Sequence, residues 1–386
     1  MRISKAKVCR AGMLLLTVVC GLLMSDGGEN AFPVYACAEI LVGEKGSPGF
    51  LLQQSMQEVV PLFGYGILAE PSTQNPEEDE TTCRTLTTED LISEELLLPQ
   101  PEESQSQTAQ NPEEAEQITQ SSAGYFQPAT QQVQIDLSRL TDYETLVENF
   151  YAIDANTMAG SDQLSVEKLL GMNMTLPPGE GEGPQILIYH THSQEAFADS
   201  TAGDVNTGVV GVGEYLTRIL TEQYGYRVLH HTGQYDVETR DNAYSRALPA
   251  VEQILAENPS VQVVIDLHRD EVAEGTKLVT EIQGRPTARF MFFNGLSRTR
   301  KTGDIDYLAN ENQEANLAFS FQMQLKAAEY YPGLTRRIYL KGYRYNMHLR
   351  PRTLLVELGA QNNTLEEAMN ACDPLAHILD MVLRGE

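Results

Sequence analysis

Histidine and carboxylate side chains follow three short apolar runs of the sequence. His190 and His192 end the run ILIYHTH, and Glu195 stands three residues further on. His268 ends the run VVIDLH, and Glu357 lies in the run TLLVELG. Neutral imidazole and carboxylate are zinc ligands, and a catalytic site uses about three of them and leaves a position for water. These residue types in this arrangement indicate a candidate metal site.

Spacing alone does not decide between a metal site and two histidines on an ordinary loop. A histidine at the end of a strand is more often a hydrogen-bonding residue of the surface or the core. A bound metal lowers the pKa of its water, and a further carboxylate can then accept the proton. The sequence contains no H-E-x-x-H, G-x-S-x-G or G-x-x-x-x-G-K-[ST], which excludes the helical zincin, serine-hydrolase and phosphate-loop motifs.

The elements that must position these side chains follow from the hydrophobic pattern. From residue 185 onward, short apolar runs alternate with stretches of helical period, and KLVTEIQGRPTARFMFFNG predicts two strands around a Gly284-Arg285-Pro286 turn. This alternation predicts an α/β fold with a twisted, mostly parallel, mixed sheet flanked by helices. Such sheets bind ligands at the carboxyl ends of their strands, where these histidines stand. A (β/α)8 barrel needs about 250 residues, more than residues 185–386 provide.

The N-terminal residues indicate the cellular location of the protein. Four basic residues precede the apolar run AGMLLLTVVCGLLM, which indicates a secretory signal or a retained anchor within residues 1–30. The run is shorter than the roughly 20 residues of a usual membrane span. We favour a single-pass anchor in the cell membrane, with the following chain on the extracytoplasmic side. Residues 31–70 are then a juxtamembrane segment.

The middle of the chain is acidic. Residues 71–132 include a stretch, 71–120, with 13 acidic residues and a single basic one, Arg84, and we expect this linker to be disordered. We expect residues 133–184 to form a small structured element and residues 185–386 to form a catalytic domain. The net charge of −27 excludes nucleic acid as the main partner, because phosphate binding needs a basic surface. The five cysteines include no C-x-x-C pair, so a thiolate zinc site is not indicated.

Five stretches taken together resemble the stage II sporulation protein P family of endospore-forming Firmicutes. They are, in chain order, IYHTHSQEAF, TGVVGVGEYLTRIL, VVIDLHRDEV, NLAFSFQMQLKAAEYYPGL and LLVELGAQNNTLEEAMNA. The resemblance covers residues 133–386, and the N-terminal membrane signal and variable linker also fit the family. It implies a cell-wall hydrolase that degrades the septal wall during engulfment in sporulation.

That family is similar in turn to the zinc-dependent N-acetylmuramoyl-L-alanine amidases. The similarity implies that His192 and His268 bind Zn²⁺. It also implies that Glu357 is the catalytic glutamate, in a motif that Gly359 and Asn363 complete. The implied reactions are cleavage between muramic acid and L-alanine, and endopeptidase cleavage of peptide cross-links.

The third zinc ligand is where the sequence departs from the amidase pattern. Those amidases place a glutamate just before the helix that here begins near Asn206. This chain has no glutamate at that point, and the nearest carboxylate is Asp204. Glu195 is therefore our candidate, and His190, which replaces a proline of the amidase motif, stays an alternative.

The substrate and partners also follow from the resemblance. Peptidoglycan stem peptides carry free carboxylates, so cations are expected near the site. Arg269 is the first candidate, followed by Arg350 and Arg352. Asn363 and His348 are further candidates for substrate binding. The implied partners are peptidoglycan itself and the stage II sporulation proteins D and M.

Two other classes of function compete with the hydrolase. The chain would fit a scaffold that binds peptidoglycan or partner proteins without cleaving them. It would also fit a metal-dependent hydrolase of a small molecule. The intact strand-end motifs disfavour the scaffold, and a membrane tether disfavours a diffusing substrate. Metal content and released peptide separate the hydrolase from the scaffold.

Overall fold

The structure is a computed structural model that describes Leu96 and residues 126–176 and 182–386. The expected membrane and juxtamembrane segments, and most of the expected linker, lie outside the described residues. Within the described ranges, no helix combines the length and the apolar character that crossing a membrane requires.

Strands make up the centre of the fold. They are β1 Tyr151–Ile153, β2 Ile186–Tyr189, β3 Val228–His230, β4 Val263–Asp270, β5 Val279–Ile282, β6 Arg285–Ala288, β7 Phe290–Gly295, β8 Arg298–Thr299, β9 Gly303–Asp304, β10 Ile338–Lys341 and β11 Arg352–Ala360. Seven of them form one sheet in the order β1-β10-β7-β11-β4-β2-β3. Neighbours within this described sheet are parallel except β7 and β11, which pair antiparallel. The predicted mixed, mostly parallel sheet is confirmed.

Helices cover both faces of the sheet. They are α1 Tyr143–Phe150, α2 Val166–Gly171, α3 Val209–Glu222, α4 Ala243–Glu257, α5 Gln313–Tyr330 and α6 Leu365–Arg384. Alternate residues of a strand point to opposite faces. In β2, Ile186 and Ile188 accordingly pack in the large core with α3, α5 and α6, whereas Leu187 and Tyr189 pack against α4. The result is a three-layer α/β/α arrangement.

The segment expected to hold two strands around a turn holds three strands. The turn that joins β5 to β6 is Gln283-Gly284, and both residues have positive φ, 53° and 76°. Two-residue hairpin turns of this kind need positive φ at both positions, which proline cannot adopt. Arg285 and Pro286 therefore lie in β6, and their placement in the turn was wrong.

The first strand of the sheet comes from upstream of the expected catalytic domain. Tyr151 to Ile153 pair in parallel with Ile338 to Leu340 at one edge of the sheet. The element predicted at residues 133–184 is thus built into the sheet through β1, and α1 and α2 contribute Leu146, Phe150 and Leu169 to the large core.

Candidate metal centre

The candidate ligands lie where three neighbouring strands end. β11, β4 and β2 are adjacent in the sheet and run in the same direction. The chain leaves β2 after Tyr189, and the next residues form the loop that carries His192 and Glu195. His268 lies near the end of β4, directly beside Glu357 in the register of β11. The structure thus brings His192, Glu195, His268 and Glu357 to the same edge of the sheet.

Glu195 lies between two imidazoles. Its Oε1 is 3.4 Å from His192 Nδ1, and its Oε2 is 3.5 Å from His268 Nδ1. One ligand atom from each of the three residues lies within 4.8 Å of the others, and all three residues are buried. Two imidazoles and one carboxylate at this separation form a donor set of the kind that zinc takes in catalytic sites.

Neighbouring groups hold the three side chains in place. The backbone N–H of Arg269 donates to Glu195 Oε2 at 2.8 Å, and Arg240 donates to Oε1 at 2.9 Å. His268 Nε2 makes an ion-pair contact of 2.9 Å with Asp266 Oδ1. Asp266 in turn accepts from the Thr191 amide at 2.8 Å and from its hydroxyl at 2.6 Å. Such carboxylates behind a histidine ligand fix the orientation of its ring.

The electrostatics of the cluster favour a bound cation. Burial acts to raise the pKa of Glu195, but the charges and hydrogen bonds of His268, His192 and Arg240 hold it well below its usual range. Burial likewise opposes a charge on His268, yet Asp266 and Glu195 together raise the pKa of this imidazole well above its usual range. The site therefore collects negative charge from two buried carboxylates. His192 Nδ1 is buried, and it faces Glu195 Oε1 at 3.4 Å. These residues fit zinc.

Glu357 is the carboxyl group beside the candidate ligands. Burial raises the pKa of Glu357 to about 8, with Asp270 and Glu195 adding to the rise and His268 opposing it. Its Oε2 is buried without a hydrogen-bond partner among the described residues. A carboxyl group poised near neutral pH can both accept and return a proton, which is what general acid–base catalysis requires.

His190 makes a different set of contacts. Its Nδ1 lies 2.8 Å from the carbonyl oxygen of Leu267 and its Nε2 lies 2.9 Å from His230 Nε2. Because a carbonyl only accepts, Nδ1 must carry the proton, and Nε2 accepts from His230. Burial, with the charge of His230, lowers the pKa of His190 to about 3. Both ring nitrogens are engaged, and Glu195, not His190, joins His192 and His268 in the described cluster.

Two of the candidate substrate-binding residues make internal contacts around the site. The guanidinium of Arg269 donates to the carbonyl oxygens of Ala196 at 3.0 Å and of Asp270 at 3.2 Å. Asn363 is fully buried; its Oδ1 accepts from the Ala360 amide and its Nδ2 donates to Leu278 O. These contacts fit the shaping of loops beside the metal centre.

The other candidates lie around the start of β11, upstream of Glu357. His348 belongs to the 3-10 turn Met347–Leu349, and burial together with the charge of Arg344 lowers its pKa to about 4. Arg350 donates to the carbonyl oxygen of Val261, and Arg352 donates to that of Met174. Arg352 pairs with the first residue of β4, so it lies at the opposite end of the strands from the metal centre.

Three residues of the centre were missing from the sequence prediction. The ring of Tyr244 stacks on His268 at 6.3 Å and meets His192 edge-on at 5.5 Å. Arg240 reaches Glu195 from the loop between β3 and α4, and no sequence pattern marked either residue. The sequence could have identified Asp266, because it stands two residues before His268 in one strand and such residues share a face of the sheet.

The fold and the buried cluster define an α/β protein with a candidate catalytic zinc centre at the carboxyl edge of its sheet. The chain belongs to the stage II sporulation protein P family, whose model matches residues 66–380. It is similar to the stage II sporulation protein P of Bacillus subtilis (strain 168), with 26% identity over 223 residues. The matched part is 52% of this chain and 52% of that protein, so the chain spans about half the length of this relative.

Solved structures of amidases are also similar to part of the chain. N-acetylmuramoyl-L-alanine amidase AmiC2 of Nostoc punctiforme has a TM-score of 0.32 and 12% identity, over 53% of this chain and 97% of that one. The N-acetylmuramyl-L-alanine amidase Ami1 of Mycobacterium smegmatis has a TM-score of 0.31 and 14% identity, over 55% of this chain and 96% of that one.

Proposed function

We propose that this chain is a membrane-anchored, zinc-dependent peptidoglycan hydrolase of sporulation. It cleaves the amide bond between muramic acid and L-alanine and also peptide cross-links, in degradation of the septal wall during engulfment. The observation that carries the proposal is the buried cluster of His192, Glu195 and His268 beside a protonatable Glu357. Membership of a sporulation family supports the biological setting.

The residues of the site divide the chemistry of amide hydrolysis between them. His192, Glu195 and His268 would hold the zinc, which supplies an acidified water and polarises the scissile carbonyl. Glu357 takes a proton from the attacking water as the new carbon–oxygen bond forms. It then gives that proton to the leaving nitrogen as the carbon–nitrogen bond breaks. Asp266 and Arg269 keep His268 and Glu195 oriented throughout.

The N-terminal segment would hold the enzyme at the septal membrane, so that it acts on the wall next to that membrane. The stage II sporulation proteins D and M are the proposed partners. Both proposals rest on the sequence resemblance, and co-purification of the full-length chain from sporulating cells tests the partners.

The test of the proposed function is hydrolysis of purified cell wall. We expect a chelator to abolish release of soluble fragments and zinc to restore it. Glu357→Gln should retain zinc and lose activity by about 100-fold or more, because it removes the general base. Glu281→Gln, which changes an exposed carboxylate of β5, is the matched control and should keep full activity.

Two results would contradict the proposal. Near-full activity of Glu357→Gln would remove Glu357 from its catalytic role. A full-length chain that binds wall, holds no zinc and releases no fragment would be a scaffold.

A further inference from the structure

An arginine that the sequence analysis did not name reaches the candidate metal centre. Arg240 contacts the buried Glu195 directly, with 2.9 Å between its NH2 and Oε1. The guanidinium groups of Arg269, Arg350 and Arg352 donate to backbone carbonyl oxygens.

Arg240 connects the buried centre to solvent. Its side chain is 40% exposed, whereas that of Glu195 is 2% exposed. The guanidinium therefore lies beside a buried carboxylate of the centre and at its solvent side. A molecule that enters the centre from solvent would meet this group.

The loop that carries Arg240 is fixed to the metal loop at a second point. Asp236 is buried and accepts from the Ser193 amide at 3.0 Å and from the Gln194 amide at 3.1 Å. Arg246, from the first turns of α4, donates to the carbonyl oxygens of Tyr235 and Asp241, each at 2.6 Å. These contacts fix the loop that carries Arg240 before any ligand binds. A residue that is already held in position lowers the entropic cost of binding.

The charge balance points to an anionic ligand. A divalent cation in the cluster, together with Arg240, carries more positive charge than Glu195 and Asp266 neutralise. A site with excess positive charge and a partly exposed guanidinium attracts anions. Among these, a carboxylate matches the planar fork of arginine with two parallel hydrogen bonds.

We propose that Arg240 is a substrate-binding residue that recognises a free carboxylate of a peptide substrate beside the metal centre. The inference rests on the proposed function and deepens it, because it selects stem peptides that carry a carboxylate near the scissile bond. In this proposal Arg240 binds the stem-peptide carboxylate, the role for which the sequence analysis named Arg269, Arg350 and Arg352.

The test is a comparison of two ligands on the zinc-loaded full-length chain, with Glu357→Gln introduced to prevent turnover. One ligand is a muramoyl peptide with free carboxylates, and the other is the same peptide with its carboxyl groups amidated. Calorimetry gives the Kd of each. Arg240→Gln should weaken the free peptide about 10- to 100-fold, the worth of a charge-assisted hydrogen bond. It should leave the Kd of the amidated peptide unchanged.

Two further variants sharpen the comparison. Arg240→Lys keeps the charge without the fork and should fall between the wild-type residue and Arg240→Gln. Arg218→Gln is the matched control, since it removes an arginine that packs over Tyr215 on α3, and both peptides should bind as before.

Equal weakening of both peptides by Arg240→Gln, or of neither, would overturn the inference. Loss of zinc in Arg240→Gln would also overturn it, because Arg240 would then act by orienting Glu195. Failure of the proposed function gives a different result. The unsubstituted chain would then release no fragments from cell wall, while the Kd values of the two peptides would still show whether Arg240 binds the carboxylate.

Discussion

His268 meets a carboxylate at each of its two ring nitrogens. Glu195 lies on the Nδ1 side at 3.5 Å and Asp266 on the Nε2 side at 2.9 Å. Asp266 is itself held by the amide and hydroxyl of Thr191, one residue before His192. One buried aspartate thus orients the ring of one candidate ligand and anchors the loop that carries another.

Replacement of Asp266 should weaken the metal site. Asp266→Asn removes the charge behind His268, and we expect the affinity for zinc to fall about 10- to 100-fold. A competition titration with a zinc-binding dye measures this. Asp154→Asn is the control: Asp154 is also buried and hydrogen-bonded, to Tyr339 and Asn156, and its replacement should cost stability without changing zinc affinity. Equal zinc affinity in Asp266→Asn would contradict the orienting role.

His348 should make stability depend on pH. Its pKa in the folded chain is about 4, below its usual range near 6.5, because of burial and the charge of Arg344. The unfolded chain therefore binds the proton first, so the contribution is present above about pH 6.5 and is lost as the pH falls toward 4. In urea unfolding, His348→Gln should lose less stability over this interval than the wild-type chain. Parallel stability curves would show that His348 does not carry this effect.

The sequence predicted the candidate ligands better than their surroundings. His192 follows one apolar strand, and His268 and Glu357 lie in the last residues of two others. Parallel strands bring such residues to one edge. Glu195 was proposed because it shares the loop of His192. Arg240 lies on a different loop and meets Glu195 through tertiary contacts alone, so neither motif nor periodicity marks it.

Among the elements, the connection between β11 and α6 depends on one glycine. Gly359 has a φ of +67°, and a Cβ there would lie 3.0 Å from Ala288 Cβ and 3.2 Å from Asn363 Oδ1. The turn that follows is closed by Asn363 and by the capping box of Thr364 and Glu367 at the start of α6. This glycine stands two residues after Glu357, in the same strand.

Gly359→Ala should therefore destabilise the protein. A side chain at positive φ combined with two tight contacts costs roughly 1–3 kcal/mol. Gly171→Ala is the control: it ends α2, and among described residues nothing lies within 4 Å of the added carbon. Urea unfolding of both variants measures the difference. Equal stability of the two variants would mean that the turn relaxes without strain.

The hydrophobic pattern predicted which stretches form strands and helices and in what order they follow along the chain. It did not predict which strands pair with each other in the sheet. β7 and β11 are distant in sequence, so their antiparallel pairing is a tertiary contact that periodicity does not reveal. The two-residue turn between β5 and β6 has positive φ at Gln283 and Gly284, and only the glycine indicates it in the sequence.

For the whole molecule, the sheet needs residues upstream of 185. β1 covers the outer edge of β10 through parallel pairing, and α1 and α2 pack into the large core. A bare edge strand exposes unpaired backbone groups that pair with other chains.

A fragment that begins at Ile186 should accordingly be less stable and should aggregate, whereas one that begins at Phe126 should stay monomeric. Size-exclusion chromatography and urea unfolding of both fragments check this. A monomeric short fragment of equal stability would show that β1 is dispensable.

The antiparallel pairing of β7 with β11 also has a practical consequence for imaging. The carboxyl ends of β1, β7 and β10 face away from the edge that holds the metal centre. The exposed Lys301, in the turn between β8 and β9, follows β7 at that far edge. A fluorescent label attached there would therefore lie at the opposite end of the strands from the candidate ligands.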